Sequence, residues 1–287
     1  MRNRFFVCAA LFALVACGPS SRGTPGDDDD AGGDGGGGGG DGNGGSGGSG
    51  NNNSYTVYAH SDTVLYSVDL ANKTLVTVGE FGGSDSMTDL AVAPDGTIYV
   101  VSETAMYTAN ATTGAATMIG PLAACGTKAV ALTTTPSGQI WAGDFHGALC
   151  QIDTSTSPPT VEPAITMGSN MALTGDFVTV DDGTVYGTAY NLSDGTGSGT
   201  QANNLLVKID LTSGATTVVG STGYPELFGT AFQQGQVFGF THDGTGHVIT
   251  IDTTTGVGTL YNTFTDPSTH KGIAFAGAGV SSLVQIF

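Results

Sequence analysis

The sequence predicts an all-β chain in which one four-stranded unit recurs five times around a ring. Three observations carry that prediction. Composition is the first: of 287 residues 47 are Gly and 10 Pro, only 11% are charged, and Thr, Val and Tyr take the places of Leu, Lys, Glu and Arg. Such a mixture favours strands and turns over helices. The second is an internal period of about 42 residues, the length of four short strands with their turns. The third is a match between the two ends of the repeating region, which closes the ring. With 25 acids against 7 bases and a net charge of −18, the chain has too few Lys and Arg for phosphate contacts, so no nucleic-acid partner is expected.

Taken in order, the chain opens with Arg2 and Arg4 followed by an apolar run over residues 5–16. A basic start and a dozen apolar residues read as a secretory signal, since spanning a bilayer takes about 20. The stretch Leu14-Val15-Ala16-Cys17 resembles the lipobox of bacterial lipoproteins. That resemblance implies loss of residues 1–16 and attachment of a diacylglycerol and an N-acyl chain to Cys17. Gly18, where Asp would favour the inner membrane, implies the outer membrane, on its periplasmic or surface side. Two or three acyl chains anchor stably where one does not.

Residues 17–53 hold Cys17 and then a low-complexity tract with Asp27-Asp28-Asp29-Asp30 and Gly broken only by Asp, Asn and Ser. A tract with nothing to bury is expected to be a disordered tether. Its r.m.s. span would be about 30–35 Å and its limit about 120 Å. The six Asp residues also suit a calcium tract, but a run of like charge without geometry reads as solvated tether.

Residues 54–287 carry the repeat. One strand ends in Asp or Asn five times, at Asp69, Asn110, Asp153, Asp210 and Asp252, spaced 41, 43, 57 and 42 residues apart. A turn and a further strand follow, as in Thr113-Gly114-Ala115-Ala116-Thr117-Met118-Ile119. Upstream sits a hairpin such as Leu90-Ala91-Val92-Ala93-Pro94-Asp95-Gly96-Thr97-Ile98-Tyr99, with counterpart turns at Ser137-Gly138, Asp182-Gly183 and Gln234-Gly235. Each unit thus has strands a to d, the pattern of a β-propeller blade. The region starts on a strand b, Tyr55-Thr56-Val57-Tyr58-Ala59, and ends on a strand a, Gly272-Ile273-Ala274-Phe275-Ala276, so N- and C-terminal strands are expected to share the first blade and leave no open edge. Residues 280–287 are unassigned and allow an extra strand or a sixth partial blade. The units resemble the "DG-x-hydrophobic-Tyr … hydrophobic-Asp-x-x-TG" propeller repeats of secreted bacterial proteins, relatives of the NHL and quinoprotein-like propellers. The resemblance implies architecture and not activity.

Cys125 and Cys150 remain in the exported region, and an even pair in an oxidising compartment favours a disulfide. A free thiol pair or a metal pair is the alternative. In a propeller the b–c connections share one face with the d–a connections. Here the b–c connections hold His60 and Asp62, then Glu103, then Asp144 and His146, then Asn191 and Asp194, then His242, Asp243 and His247. Asp89, Asp176 and Lys271 are placed where strand a begins, at the tunnel mouth. His, Asp and Glu are zinc ligands, and Asp, Glu and Asn are calcium ligands. The candidate ligand or metal site is therefore His60, Asp62, Asp89, Glu103, Asp144, His146, Asp176, His242 and Asp243, with calcium or zinc as its ion. The same residues are also what the polar loops of any acidic domain display. Asp89, Asp176 and Glu226 suggest paired carboxylates for glycoside cleavage, without any glycosidase motif. The insertion at 191–204 reads as a long loop, and Trp141 as blade packing. No nucleophile elbow, phosphate loop or zinc Cys motif occurs.

The function expected from these features is a monomeric, membrane-anchored cell-envelope lipoprotein presenting a propeller as a binding or scaffold module for an envelope protein or glycan. With four Lys, no Arg and 19 acids, residues 54–287 carry a net charge of −15, which disfavours anionic ligands. The alternative is a metal-dependent, lactonase-like propeller hydrolase. It requires several of His60, Glu103, Asp144, His146, Asp176 and His242 to converge at the tunnel mouth.

Overall fold

A computed structural model describes residues 56–122, 125–126, 128–194 and 204–280. The expected lipobox and tether, residues 281–287 and most of the 191–204 insertion lie outside them. The first blade begins with β1 (Val57–His60), β2 (Val64–Asp69) and β3 (Thr74–Glu80). The second is β4 (Met87–Val92), β5 (Ile98–Ser102), β6 (Ala105–Ala109) and β7 (Ala116–Pro121). The third is β8 (Ala131–Thr134), β9 (Ile140–Gly143) and β10 (Ala148–Asp153), edged by two fragments, β11 (Thr160–Val161) and β12 (Ile165–Thr166). The fourth is β13 (Met171–Thr179), β14 (Val185–Asn191), β15 (Leu205–Ile209) and β16 (Thr216–Ser221). The fifth is β17 (Leu227–Gln233), β18 (Gln236–Thr241), β19 (His247–Ile251) and β20 (Gly258–Thr263). The last strand, β21 (Gly277–Gly279), returns to the first blade.

All blades are antiparallel meanders, and the ring is closed as the sequence predicts. β21 lies beside β1, with Ala59 opposite Ala278 and His60 opposite Gly277. The inner strands pack in the cyclic order β4, β8, β13, β17, β21 and back to β4. Because each blade is covered by a neighbour on both faces, inner strands have no solvent side, and all nine residues of β13 are buried. The core is correspondingly divided into five apolar layers, one per interface between adjacent blades. Trp141 packs against the layer between blades three and four, as expected.

The closing strand differs from its expected position by a few residues. Gly272–Ala276 was the expected strand a, yet the paired residues are Gly277–Gly279. Asp266 explains the offset. Its carboxylate accepts the backbone N–H groups of Ser268 at 2.9 Å and Thr269 at 2.8 Å, and His270 takes the left-handed conformation with φ 57°. This is the same turn that follows β2, β6, β15 and β19. It spends Gly272 on a bridge to Thr265 and leaves Lys271 exposed in the turn rather than at the tunnel mouth. Phe275 and Ala276 then lead into β21, their N–H groups donating to the carbonyls of Thr241 and His60.

The turns between strands c and d are built by one device. Asn110, Asp210 and Asp252 each accept two backbone N–H groups of the turn that follows. Backbone donation holds the carboxyls of Asp69, Asp210 and Asp252 below the usual carboxylate range. The third blade departs from the pattern because Pro158, Pro159 and Pro163 remove ladder donors, so its outer edge is two short fragments instead of a strand.

Candidate functional site

The groups that gather do so at the upper end of the central tunnel. Register shifts interrupt β4 between Met87 and Asp89, and β13 between Leu173 and Phe177. Such bulges re-aim side chains, and here they turn Asp89 and Asp176 towards the free edges of the inner strands. Asp89 accepts the N–H of Leu90 at 2.7 Å and that of Leu132, on β8, at 2.6 Å. Asp176 accepts the N–H of Phe177 at 2.6 Å and that of Thr230, on β17, at 2.7 Å. Each carboxyl therefore joins two neighbouring blades and satisfies donors that no ladder partner reaches. Burial, and for Asp89 also the neighbouring charge of Asp176, holds both well above the usual carboxylate range.

His60, at the end of β1, is fully buried and lies edge-on to Phe81 with ring centroids 5.5 Å apart. Its Nδ1–H donates to the Ser61 carbonyl at 2.8 Å, which leaves Nε2 as an acceptor without a hydrogen-bond partner. Burial pushes its pKa down to about 4. A Cβ on Gly277 would lie 2.1 Å from Asp89 Oδ1 and 2.5 Å from His60 Nε2, so both side chains pack closely against this glycine and only Gly fits between them. Above them the ring of His242 stacks on Phe228, 4.6 Å between centroids and 16° from parallel. His242 Nε2 is 3.8 Å from Asp62 Oδ1. His60 and Asp89 thus meet at Gly277, and His242 lies beside Asp62.

The other four candidates do not join them. Glu103 pairs with Lys128 at 2.6 Å on the surface. Asp144 accepts the N–H groups of His146 at 2.9 Å and Ala148 at 2.7 Å, shaping its own loop, while the His146 side chain is 68% exposed. Asp243 accepts the N–H of Thr245 at 3.0 Å and the hydroxyl of Thr241 at 2.9 Å. Glu226 contributes its carbonyl to the His242 N–H. Among the described residues no group of three or more His, Cys, Asp or Glu side chains could hold a metal ion.

Below the carboxyl pair is a cavity of about 40 Å³ lined by Ala91, Thr133, Thr179, Thr230 and Gly279. The hydroxyls of Thr179 and Thr230 are buried there without a protein partner. The space suits two or three waters and is far below the roughly 300 Å³ of an organic-ligand pocket. Sequence reading missed Phe228 and Gly277. Phe228 looks like one more apolar residue of strand a, and only the bulge between Leu227 and Gly229 sets it facing His242.

His60 makes the stability of the fold depend on pH with a definite sign. The unfolded chain binds a proton at this residue near 6.5, while the folded chain does so only near 4. Stability is therefore expected to fall as pH drops from 6.5 to 4, by up to about 3 kcal/mol. The carboxyl pair works in the opposite sense, its contribution being lost as pH rises through its raised folded pKa. Urea unfolding from pH 7 to 4 should show a slope that His60→Gln flattens; an unchanged slope in that variant would place its cause elsewhere.

Among known proteins no family model matches the chain and no curated protein matches it. Solved structures do. A chain in the crystal structure of a nidogen/laminin complex aligns with a TM-score of 0.51 at 13% identity, over 80% of this chain and 99% of that one. Virginiamycin B lyase from Staphylococcus aureus aligns at 0.40 and 13% identity, over 73% and 66% of the two chains. A streptogramin B lyase aligns at 0.40 and 16%, over 75% and 67%. The described domain is a five-bladed β-propeller, and the first of these likenesses agrees with that fold.

Proposed function

We propose that the chain is an outer-membrane lipoprotein, anchored through Cys17, that presents its propeller as a binding module for a neutral or cationic envelope protein or glycan. One observation carries the reading. At the tunnel mouth an aromatic shelf, Phe228 on His242, lies beside the carboxylate of Asp62, whereas Glu103, Asp144, His146 and Asp243 are each taken up by their own loops or exposed. An aromatic face next to a carboxylate suits the apolar face of a sugar ring or a cationic side chain. The net charge of −15 over residues 54–287 supports a partner that is not anionic. The hydrolase alternative required several of His60, Glu103, Asp144, His146, Asp176 and His242 to converge, and Glu103, Asp144 and His146 are among the dispersed ones.

The test has two arms. Expressed in a bacterium with an outer membrane, the full chain should partition with membranes and take up acyl label, and Cys17→Ser should abolish both. Retention of the Cys17→Ser chain on isolated peptidoglycan and outer-membrane fractions should fall roughly tenfold with Phe228→Ala and Asp62→Ala combined. Acyl labelling that survives Cys17→Ser would overturn the anchor, and retention that ignores the mouth variants would overturn the binding face.

A further inference from the structure

We propose that Asp62, His242 and Phe228 take a primary ammonium group of the envelope partner and release it in mild acid, with His242 as the switch. This rests on the binding reading above and names the group that the site recognises. The argument starts from the scarcity of cations. Residues 54–287 contain no Arg and four Lys. Lys73 lies 4.5 Å over the Tyr261 ring and donates to the Tyr261 carbonyl at 3.1 Å. Lys128 pairs with Glu103, Lys208 lies 5.5 Å over the Tyr186 ring, and Lys271 sits in the turn that Asp266 builds. Among the described residues no Lys is within ion-pair distance of the Asp62 carboxylate, and the basic group that is there is the His242 imidazole, with Nε2 3.8 Å from Oδ1. That distance is too long for a hydrogen bond. With His242 neutral, Asp62 is therefore a carboxylate without a counter-charge, and the two side chains are open to a partner, 59% and 32% exposed.

Histidine is the side chain that changes charge between pH 5 and 8. The neutral ring, stacked on Phe228 with 4.6 Å between centroids, puts an aromatic face beside the carboxylate. An ammonium group is drawn to both. The protonated ring takes up the same two attractions itself: it stands beside Asp62 as a counter-ion and on Phe228 as a cation over an aromatic face. The Asp62–His242 pair then carries no net charge, and the imidazolium repels a second cation. The other titratable groups around His242 leave the switch to it. His60 feels the charges of Asp62 and His242 but is fully buried, and burial lowers it to about 4, so it stays neutral in mild acid. Glu226 meets His242 through its backbone carbonyl, at 2.8 Å from the His242 nitrogen. Asp243 turns its carboxylate onto Thr241 and Thr245.

The test uses the full Cys17→Ser chain at fixed ionic strength and an N-acetylated tetralysine amide, whose side chains keep their charge at pH 7.5 and 5.5 alike. The control is the same peptide acetylated at every Nζ. Calorimetric titration at pH 7.5 should show binding of the charged peptide, weakened roughly tenfold by Asp62→Asn, and no binding of the acetylated one. At pH 5.5 the wild-type affinity should fall by about tenfold. His242→Phe should bind equally at both pH values, and His146→Gln, at an exposed histidine, should keep the wild-type drop. Proton spectra of the wild-type chain give a readout that needs no variant: by reciprocity, one of the imidazoles should titrate at lower pH when the peptide is bound. Equal affinity for the two peptides, indifference to Asp62→Asn, a wild-type affinity unchanged at pH 5.5, a drop that persists in His242→Phe, or imidazole titrations that ignore the peptide would each overturn the proposal. If envelope fractions are still retained through Phe228 and Asp62 in that event, the ammonium and its switch fail and the binding face stands. Retention that ignores the mouth variants removes both.

Discussion

Truncation after Thr263 is expected to unfold the whole ring and not the first blade alone. The segment removed contains β21, the inner strand of blade one, together with Ile273 and Phe275, which are buried in the layer shared by blades five and one. Without it β1 exposes an unpaired edge, and β17 and β4 lose the strand between them. Loss of cooperative unfolding and of soluble expression should follow. Phe275→Ala is the graded version of the same test. Its ring is fully buried and edge-on to Phe240, with centroids 5.3 Å apart. Emptying such a site costs about 3–5 kcal/mol, at roughly 2–4 °C per kcal/mol for a domain of this size. A truncated chain that unfolds in one transition at the original midpoint would show that closure through β21 is dispensable.

Loss of the Cys125–Cys150 disulfide is expected to cost about 3.5 kcal/mol in the loop-entropy account, and to loosen blade three first. The two residues are joined with their Cα atoms 5.5 Å apart, across a sequence separation of 25. The bridge fastens the segment entering blade three to β10. In the other blades the third strand has a continuous outer partner; β10 has only the fragments β11 and β12, and the bridge stands in for part of that missing support. Cys125→Ala combined with Cys150→Ala leaves no stray hydroxyl in the buried layer. Denaturant unfolding should show the loss, and hydrogen exchange should rise first in β8 to β10. An equal rise in all five blades would contradict the local role given to the bridge.

Much of the fold was legible because the repeat writes the same local chemistry several times. The Asp or Asn that ends strand c is there to accept turn N–H groups, a local interaction that Asn110, Asp210 and Asp252 all make. The site was legible in part. His60, Asp62 and His242 lie on b–c connections that the blade pattern already assigns to one face. Asp144 and Asp243 also lie on b–c connections, but they turn back on their own loops. Lying on such a connection does not separate the two cases, and the difference lies in which backbone donors stand within reach.

The sequence by itself determined the five-blade count, the strand order, the closure of the ring and the pairing of Cys125 with Cys150. These follow from periodicity, turn chemistry and a count of two, which depend on near neighbours in the chain. The tertiary structure alone decided the register of the closing strand, which the Asp266 turn moved to Gly277–Gly279. It also decided that Asp89 and Asp176, 87 positions apart in the sequence, come within electrostatic reach of one another, and that Asp89 Oδ1 and His60 Nε2 both pack against Gly277. Bulges in strands of different blades aim these groups, and the ring sets the distance between them. No local pattern in the chain encodes either.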